Sequence, residues 1–251
     1  MPGVAHRLRS PPADPAAEAP AGFRADLAWA FLRRDPRYRE AYARAVASDP
    51  PATGRAMAAA FGLEFPADPD LSAEAAGVLW RGEIAPAVVV DLAPAPVEAQ
   101  GAIDLAAVPW PRVVDGQTTH LRAPFGLQVR VAGRDLRQPL AAVAPLTEEF
   151  EVRLRTLAAL HRALRGSILG PDLTPQRLRR LRQALQAYDG RAGGLRRREI
   201  AVELFGAGWV AREPWKSSSR RDATTRLLRL ADRLVSGGYR DLLNTRPRPA
   251  T

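Results

Sequence analysis

Apolar residues recur at helical spacing at both ends of the chain and alternate in its middle. Leu27, Ala30 and Phe31, then Tyr38, Tyr42 and Val46, mark two short helices. Between them Asp35-Pro36 supplies a capping acceptor and a proline, whose fixed φ suits the first turn of the second helix. Ser72 to Trp80 predicts another helix, capped by Ser72, with Leu79 and Trp80 on its buried side. Ala87 to Leu92 is a β-branched run. His120–Ala123, Leu127–Val131 and Leu136–Val143 alternate around Pro124-Phe125-Gly126 and Ala132-Gly133-Arg134-Asp135, which predicts a β meander.

Thr147, followed by Glu148 and Glu149 in the positive first turn, predicts the cap of a helix that faces inward through Phe150, Leu154, Leu157, Ala158 and Leu164 and stops at Gly166. Three further helices follow. The first runs from Pro175, capped by Thr174, to Tyr188, with Leu178, Leu181 and Leu185 as its stripe and Asp189-Gly190 and Gly193-Gly194 as its breakers. The second spans Arg196 to Phe205, burying Ile200, Ala201 and Leu204, and ends at Gly206. The third starts near Ser217 and continues to Val235 on a seam of Ala223, Leu227, Leu230, Ala231 and Leu234, stopped by Gly237-Gly238.

The expected fold class is α+β, mainly α: a helical N-terminal unit, a small β meander and a C-terminal three-helix domain like a helix-turn-helix. The expected divisions are a flexible lead over 1–22, which holds five prolines, an N-terminal domain over 23–92 and a β-rich region over 93–146. A connecting helix over 147–170, the three-helix domain over 171–245 and a tail over 246–251 complete them. Residues 93–117 carry no recognisable signal.

Charge sharpens this division. The 251-residue chain has 37 basic and 27 acidic side chains, and Lys216 is its single lysine. Residues up to 150 carry 15 basic and 18 acidic groups, whereas the remainder carries 22 and 9. A GC-rich genome enriches arginine everywhere without setting its balance against acids, so the asymmetry points to a polyanion-binding C-terminal module. Cysteine is absent, which excludes disulfides, thiolate zinc sites and cysteine nucleophiles. No uncharged apolar run is long enough to cross a membrane, so no membrane partner is expected and the expected location is the cytoplasm, on the nucleoid.

The last basic helix carries the candidate chemistry. With Leu227 facing the core, a step of 100° per residue turns Ser218, Arg221, Asp222, Thr225 and Arg229 outward. Ser218, Arg221 and Thr225 lie in the first turns, where recognition helices touch bases, and are the base-contact candidates, Arg221 for a guanine. Lys216, Ser217 and Ser219 sit where helix N-terminal amides and hydroxyls hold phosphate, and Arg196, Arg197 and Arg198 open the preceding helix. With Arg220 and Arg229 these are the phosphate-contact candidates. The expected partner is double-stranded DNA. Trp209 and Trp215, in a connection longer than a helix-turn-helix turn, are expected to be core anchors.

Tyr188-Asp189-Gly190, Arg198-Glu199-Ile200-Ala201, Leu204-Phe205-Gly206, Trp215-Lys216 and Gly237-Gly238-Tyr239-Arg240-Asp241-Leu242-Leu243 resemble the DNA-binding domain of RovC-like regulators. The run Trp29 to Arg39, with Phe61-Gly62-Leu63 and Leu79-Trp80, resembles the proteobacterial transcriptional-regulator-like domain often paired with it. The resemblance implies a bacterial transcription regulator of the kind tied to secretion-system control or to transfer of conjugative elements. It transfers no base-contacting residues.

No catalytic site, metal or cofactor is expected. His6, His120 and His161 are far apart, with His161 read as a hydrogen-bonded core residue, and Glu148/Glu149 and Asp68/Asp70 read as caps and loop acids. The N-terminal and β regions are left for self-association or contact with RNA polymerase. Two other readings compete: a nucleic-acid-binding accessory of a DNA-transfer or RNA complex, and an adaptor whose basic helix docks an acidic protein.

Overall fold

Asp35 ends one helix and starts the next. Its buried carboxylate accepts from the Arg37 amide at 2.9 Å and pairs with the Arg37 guanidinium, so α1 (Arg24–Leu32) turns sharply into α2 (Pro36–Ala47). This computed structural model describes residues 23–47, 51–96 and 102–244, and the expected lead over 1–22 and tail over 246–251 lie outside them. α1 is buried on almost every side, with Trp29 donating its indole N–H to the Leu71 carbonyl at 3.1 Å. The phenol of Tyr38 on α2 both donates to the carbonyl and accepts from the amide of Ala67.

Helix α3 (Pro51–Ala60), rich in alanine, gave no apolar period to read. The helix expected over Ser72 to Trp80 does not form. Ser72 Oγ accepts from the Ala75 amide, but one turn later the chain straightens so that Trp80 can bridge to Leu63. Tertiary pairing overrides the local cap.

Five strands form the middle: β1 (Val89–Pro94), β2 (Arg112–Asp115), β3 (Thr118–Arg122), β4 (Gln128–Ala132) and β5 (Leu140–Val143), in the order β2-β3-β4-β1-β5. Of the expected meander the β3–β4 pairing holds, and β2, which was not expected, extends it on the far side of β3. The expected last strand, however, crosses to pair antiparallel with β1, which lies parallel to β4. Arg130 and Asp91 are register partners across β4 and β1, joined at 2.7 Å, and this cross-strand ion pair helps hold β1 in the place next to β4. β2, within the stretch that gave no signal, is joined to β3 through Gly116 at φ 56°, a conformation suited to glycine in a hairpin turn.

Helix α4 (Phe150–Leu164) begins three residues after Thr147, which makes a turn with Glu149 and Phe150 instead of capping. Its inward residues are Val152, Thr156 and Leu160, so the expected face is rotated: Leu154, Ala158 and His161 are exposed. Thr156 sets the rotation by donating to the Pro86 carbonyl. α4 packs on β1, and Leu160 joins Leu121, Val129 and Val131 in one core.

Helix α5 (Pro175–Ala192) starts as expected, with Thr174 Oγ1 accepting from the Arg177 amide, but runs through Asp189-Gly190 because Arg34 holds Asp189. α6 (Arg197–Phe205), α7 (Ala207–Val210) and α8 (Ser219–Arg233) follow. α8 widens at Leu234–Gly238, where Gly237 has φ 115° and a Cβ on Gly238 would lie 2.7 Å from the Arg233 carbonyl oxygen, before α9 (Arg240–Leu243). Leu27, Phe31 and Trp80 share a core with Leu185, Leu234 and Tyr239, so the first and last parts of the chain pack as one body. The architecture is α+β, mainly α.

Candidate nucleic-acid interface

α5, α6 and α8 pack mutually, and Leu227, Leu228, Ala231 and Thr224 turn α8 inward. The seam is offset from expectation: Ala223 and Leu230 are half-buried, whereas Thr224 and Leu228 are buried. Thr224 is tolerated there because its hydroxyl donates to the Arg220 carbonyl at 2.8 Å. The opposite side of α8 is an exposed stripe of Ser219, Asp222, Arg226, Arg229 and Arg233, spaced alternately three and four residues apart.

A groove of about 720 Å³ lies between α8 and the start of α6. Arg197, Arg221, Thr225, Arg226 and Arg229 line it, with Asp222 and the Arg191–Asp232 ion pair, which ties α5 to α8. The mutual hydrogen bonds lower the Asp232 carboxyl below its ordinary value and raise Arg191. Several arginines elsewhere are paired with acids: Arg24 to Asp172, Arg34 to Asp189, Arg130 to Asp91. Arg197, Arg198, Arg226 and Arg229 are exposed and have no acidic partner among the described residues, as holds for Arg134, Arg137, Arg179, Arg180 and Arg182 elsewhere, but Arg197, Arg226 and Arg229 stand together on one groove.

Four of the expected contact residues are placed otherwise. Ser218 is buried, and its Oγ accepts from the Arg220 amide at 3.1 Å as the cap of α8, so it is removed from the base-contact set. The Ser219 amide donates to Glu213 Oε2 at 2.9 Å, a bond that draws the exposed Glu213 carboxyl below its ordinary value. The anion place at the start of α8 is therefore filled from within the chain, and the Ser217 hydroxyl donates to the Pro214 carbonyl, so the groups expected to hold phosphate at Ser217 and Ser219 are engaged internally in this structure. Arg220 lies half-buried over the rings of Phe205 and Trp209, at 5.2 and 5.4 Å from their centroids, which withdraws it from the phosphate set.

The remaining candidates converge. Arg221 donates to the Lys216 carbonyl at 2.8 Å, which fixes its guanidinium beside the groove. Thr225 donates to the Arg221 carbonyl at 2.9 Å, leaving its oxygen as an acceptor. Lys216, Arg196, Arg197 and Arg198 are exposed, the last three at the start of α6, where Glu199 caps the Arg196 amide. The helical projection omitted Arg226, which the 3–4 spacing of exposed residues would have revealed. Trp209 is not a core anchor: it is 52% exposed, with the Arg212 guanidinium 3.9 Å from its ring centroid.

Among the described residues no helix is long and apolar enough to cross a membrane. A family model described as "T6SS, Transcription factor, DNA binding domain" matches residues 143–244. A second, described as "Proteobacterial transcriptional regulator-like domain", matches residues 9–66. The first covers α5, α6 and α8 of the interface and the second covers α1 to α3. Among curated proteins, none matches this chain.

Proposed function

We propose that this chain is a RovC-like transcription regulator, on the premise of the two domain matches over 143–244 and 9–66, and that α8 enters the major groove of duplex DNA while the start of α6 grips the flanking phosphates. The observation that carries the proposal is the distribution of unpaired charge. Arg197, Arg226 and Arg229, exposed and without acidic partners among the described residues, line a single groove, with Arg198 next to Arg197 at the start of α6. Such charge held unneutralised on rigid helices suits a polyanion.

In this reading Arg221 and Thr225 meet base edges, with Asp222 beside them able to accept from a cytosine amino group. Arg196, Arg197, Arg198, Lys216, Arg226 and Arg229 meet phosphates. The paired regulator domains imply a non-enzymatic role. The T6SS in the matched description supports a secretion-system set of target genes over a conjugative-element one.

The test is fluorescence anisotropy of the full chain against a duplex selected by it from a random library, a scrambled duplex and a structured RNA. Arg221→Ala is expected to lower affinity for the selected duplex about tenfold or more while changing scrambled binding little. Lys216→Ala should weaken both alike. Equal losses in Arg221→Ala would remove the base-reading role, and preference for the RNA would overturn the duplex reading.

A further inference from the structure

The connection between α6 and α8 turns an aromatic ring toward solvent. Gly206 stops α6, and the short α7 is anchored through Val210, which is 2% exposed. Its neighbour Trp209 stands open, the one exposed tryptophan, tyrosine or phenylalanine among the described residues. A large aromatic surface left in water on a structured connection is a candidate contact surface.

Arg212 lies on that ring, closer to its centroid than any other arginine over a ring among the described residues. Arg55, Arg191 and Arg240 also lie over rings, but each is tied to a second group: Asp115, Asp232 and the Ala60 carbonyl. Arg212 is exposed and has no hydrogen bond or acidic partner among the described residues. Stacking fixes the plane of a guanidinium and leaves the N–H donors around its edge free, a fork that matches a phosphate.

This platform adjoins the arginine groove. Arg220, in the first turn of α8, lies over both Trp209 and Phe205 and so braces the ring against the start of that helix. The next residue, Arg221, lines the groove and donates to the Lys216 carbonyl within the same connection. Lys216 is exposed, and Glu213, the single acid of residues 206–217, is held by the Ser219 amide. The patch is therefore cationic where α8 begins. A helix lying in a major groove brings the chain that leads into it to the sugar–phosphate backbone at the groove edge.

We infer that Trp209 and Arg212 form a second grip on the same duplex, outside the groove that α8 enters: Arg212 holds a backbone phosphate through its free N–H donors, and Trp209 packs on the neighbouring deoxyribose. The inference rests on the reading of α8 as the duplex-binding helix and extends its footprint past the bases that α8 reads. Such a grip adds affinity without sequence preference.

The experiment trims the selected duplex one base pair at a time from each end and follows binding of the full chain, Arg212→Gln and Trp209→Ala by anisotropy at a fixed salt concentration. On the untrimmed duplex each variant is expected to bind about fivefold more weakly, selected and scrambled sequences alike. One trimming step should cost the parent chain a similar factor and cost the variants nothing, because the contact is already gone. Arg212→Gln leaves the ring in place and decides the case if Trp209→Ala lowers the thermal midpoint. Acrylamide quenching supplies a second readout: the emission that Trp209→Ala removes should become shielded by the untrimmed duplex. A parent chain that binds no duplex would remove the reading of α8 and this inference with it. A parent chain that binds while Arg212→Gln matches it on every duplex would leave α8 in its groove, overturn the second grip and hand the patch to an acidic protein.

Discussion

Arg34 and Asp189 form a two-pronged ion pair, Nε to Oδ1 and Nη2 to Oδ2 both at 2.6 Å, across 155 residues of chain. Arg34 is nearly buried, and it also donates to the Ala30 carbonyl at 2.6 Å, so it locks the end of α1 to the last turns of α5. Asp189 is 42% exposed, so solvent screens part of the attraction. Arg34→Ala is expected to cost about 1–2 kcal/mol, read as a lower urea midpoint with an unchanged slope. A midpoint equal to that of the parent chain would show the pair to be energetically idle.

The shared core makes a prediction about the matched DNA-binding segment. α1 packs against α5, α9 and the wide turn after α8, and Tyr239 donates its phenol to the Phe61 carbonyl. A chain cut to residues 143–251 uncovers Leu185, Leu234 and Tyr239. It is expected to melt without a sharp transition and to bind a dye for exposed apolar surface. A cooperative melt matching the full chain would show that the C-terminal helices stand alone.

Ser218 gives a way to tell capping from base reading. Ser218→Ala removes the bond to the Arg220 amide and should cost about 1 kcal/mol of stability. The ratio of selected to scrambled DNA affinity should stay unchanged, since the side chain is buried. A selective loss for the selected duplex would return Ser218 to the interface.

How far each feature was legible follows from whether its cause is local. Asp35-Pro36, Thr174-Pro175 and the Leu178/Leu181/Leu185 stripe are short-range signals, and the helices stand where they indicate. Asp115-Gly116 is also a local hairpin signal, and it went unread because the exposed β2 lacks an apolar alternation. The insertion of β1 beside β4, the straightened segment before Trp80 and the run of α5 through Gly190 each depend on a partner distant in sequence: Arg130, Leu63 and Arg34. On α8 the periodicity gave the helix and its outward arginines. It could not show that Glu213 fills the helix start or that aromatic rings hold Arg220.

Asp26 sets a pH dependence. Burial, reinforced by Asp172 and Glu74 against the opposing charge of Arg122, pushes its carboxyl from 3.8 up to about 6. The folded chain therefore holds this proton more tightly than the unfolded one. Between pH 3.8 and 6 this contribution to stability falls as pH rises, and above pH 6 the full cost is carried, at most about 3 kcal/mol. Asp26→Asn should be more stable than the parent chain at pH 7.5, with the difference shrinking towards zero near pH 4. Thermal unfolding across that range checks it, and a difference independent of pH would contradict the raised value.

Arg226 and Arg229 provide the most direct measure of the charge argument, because neither has an acidic partner among the described residues and both are exposed on α8. If each meets a phosphate, each displaces about one condensed counterion on binding, and the log–log dependence of affinity on salt becomes shallower by about 0.9 for each arginine removed. Arg226→Ala and Arg229→Ala should thus act alike on selected and scrambled duplexes, and the double variant should lose roughly the sum of the two slopes. Arg233 is the built-in control: it shares the exposed stripe but reaches Asp241 at 3.4 Å, so Arg233→Ala should change the slope less. Titrations from 50 to 200 mM salt read all four chains. A slope unchanged in the double variant would detach this stripe from DNA.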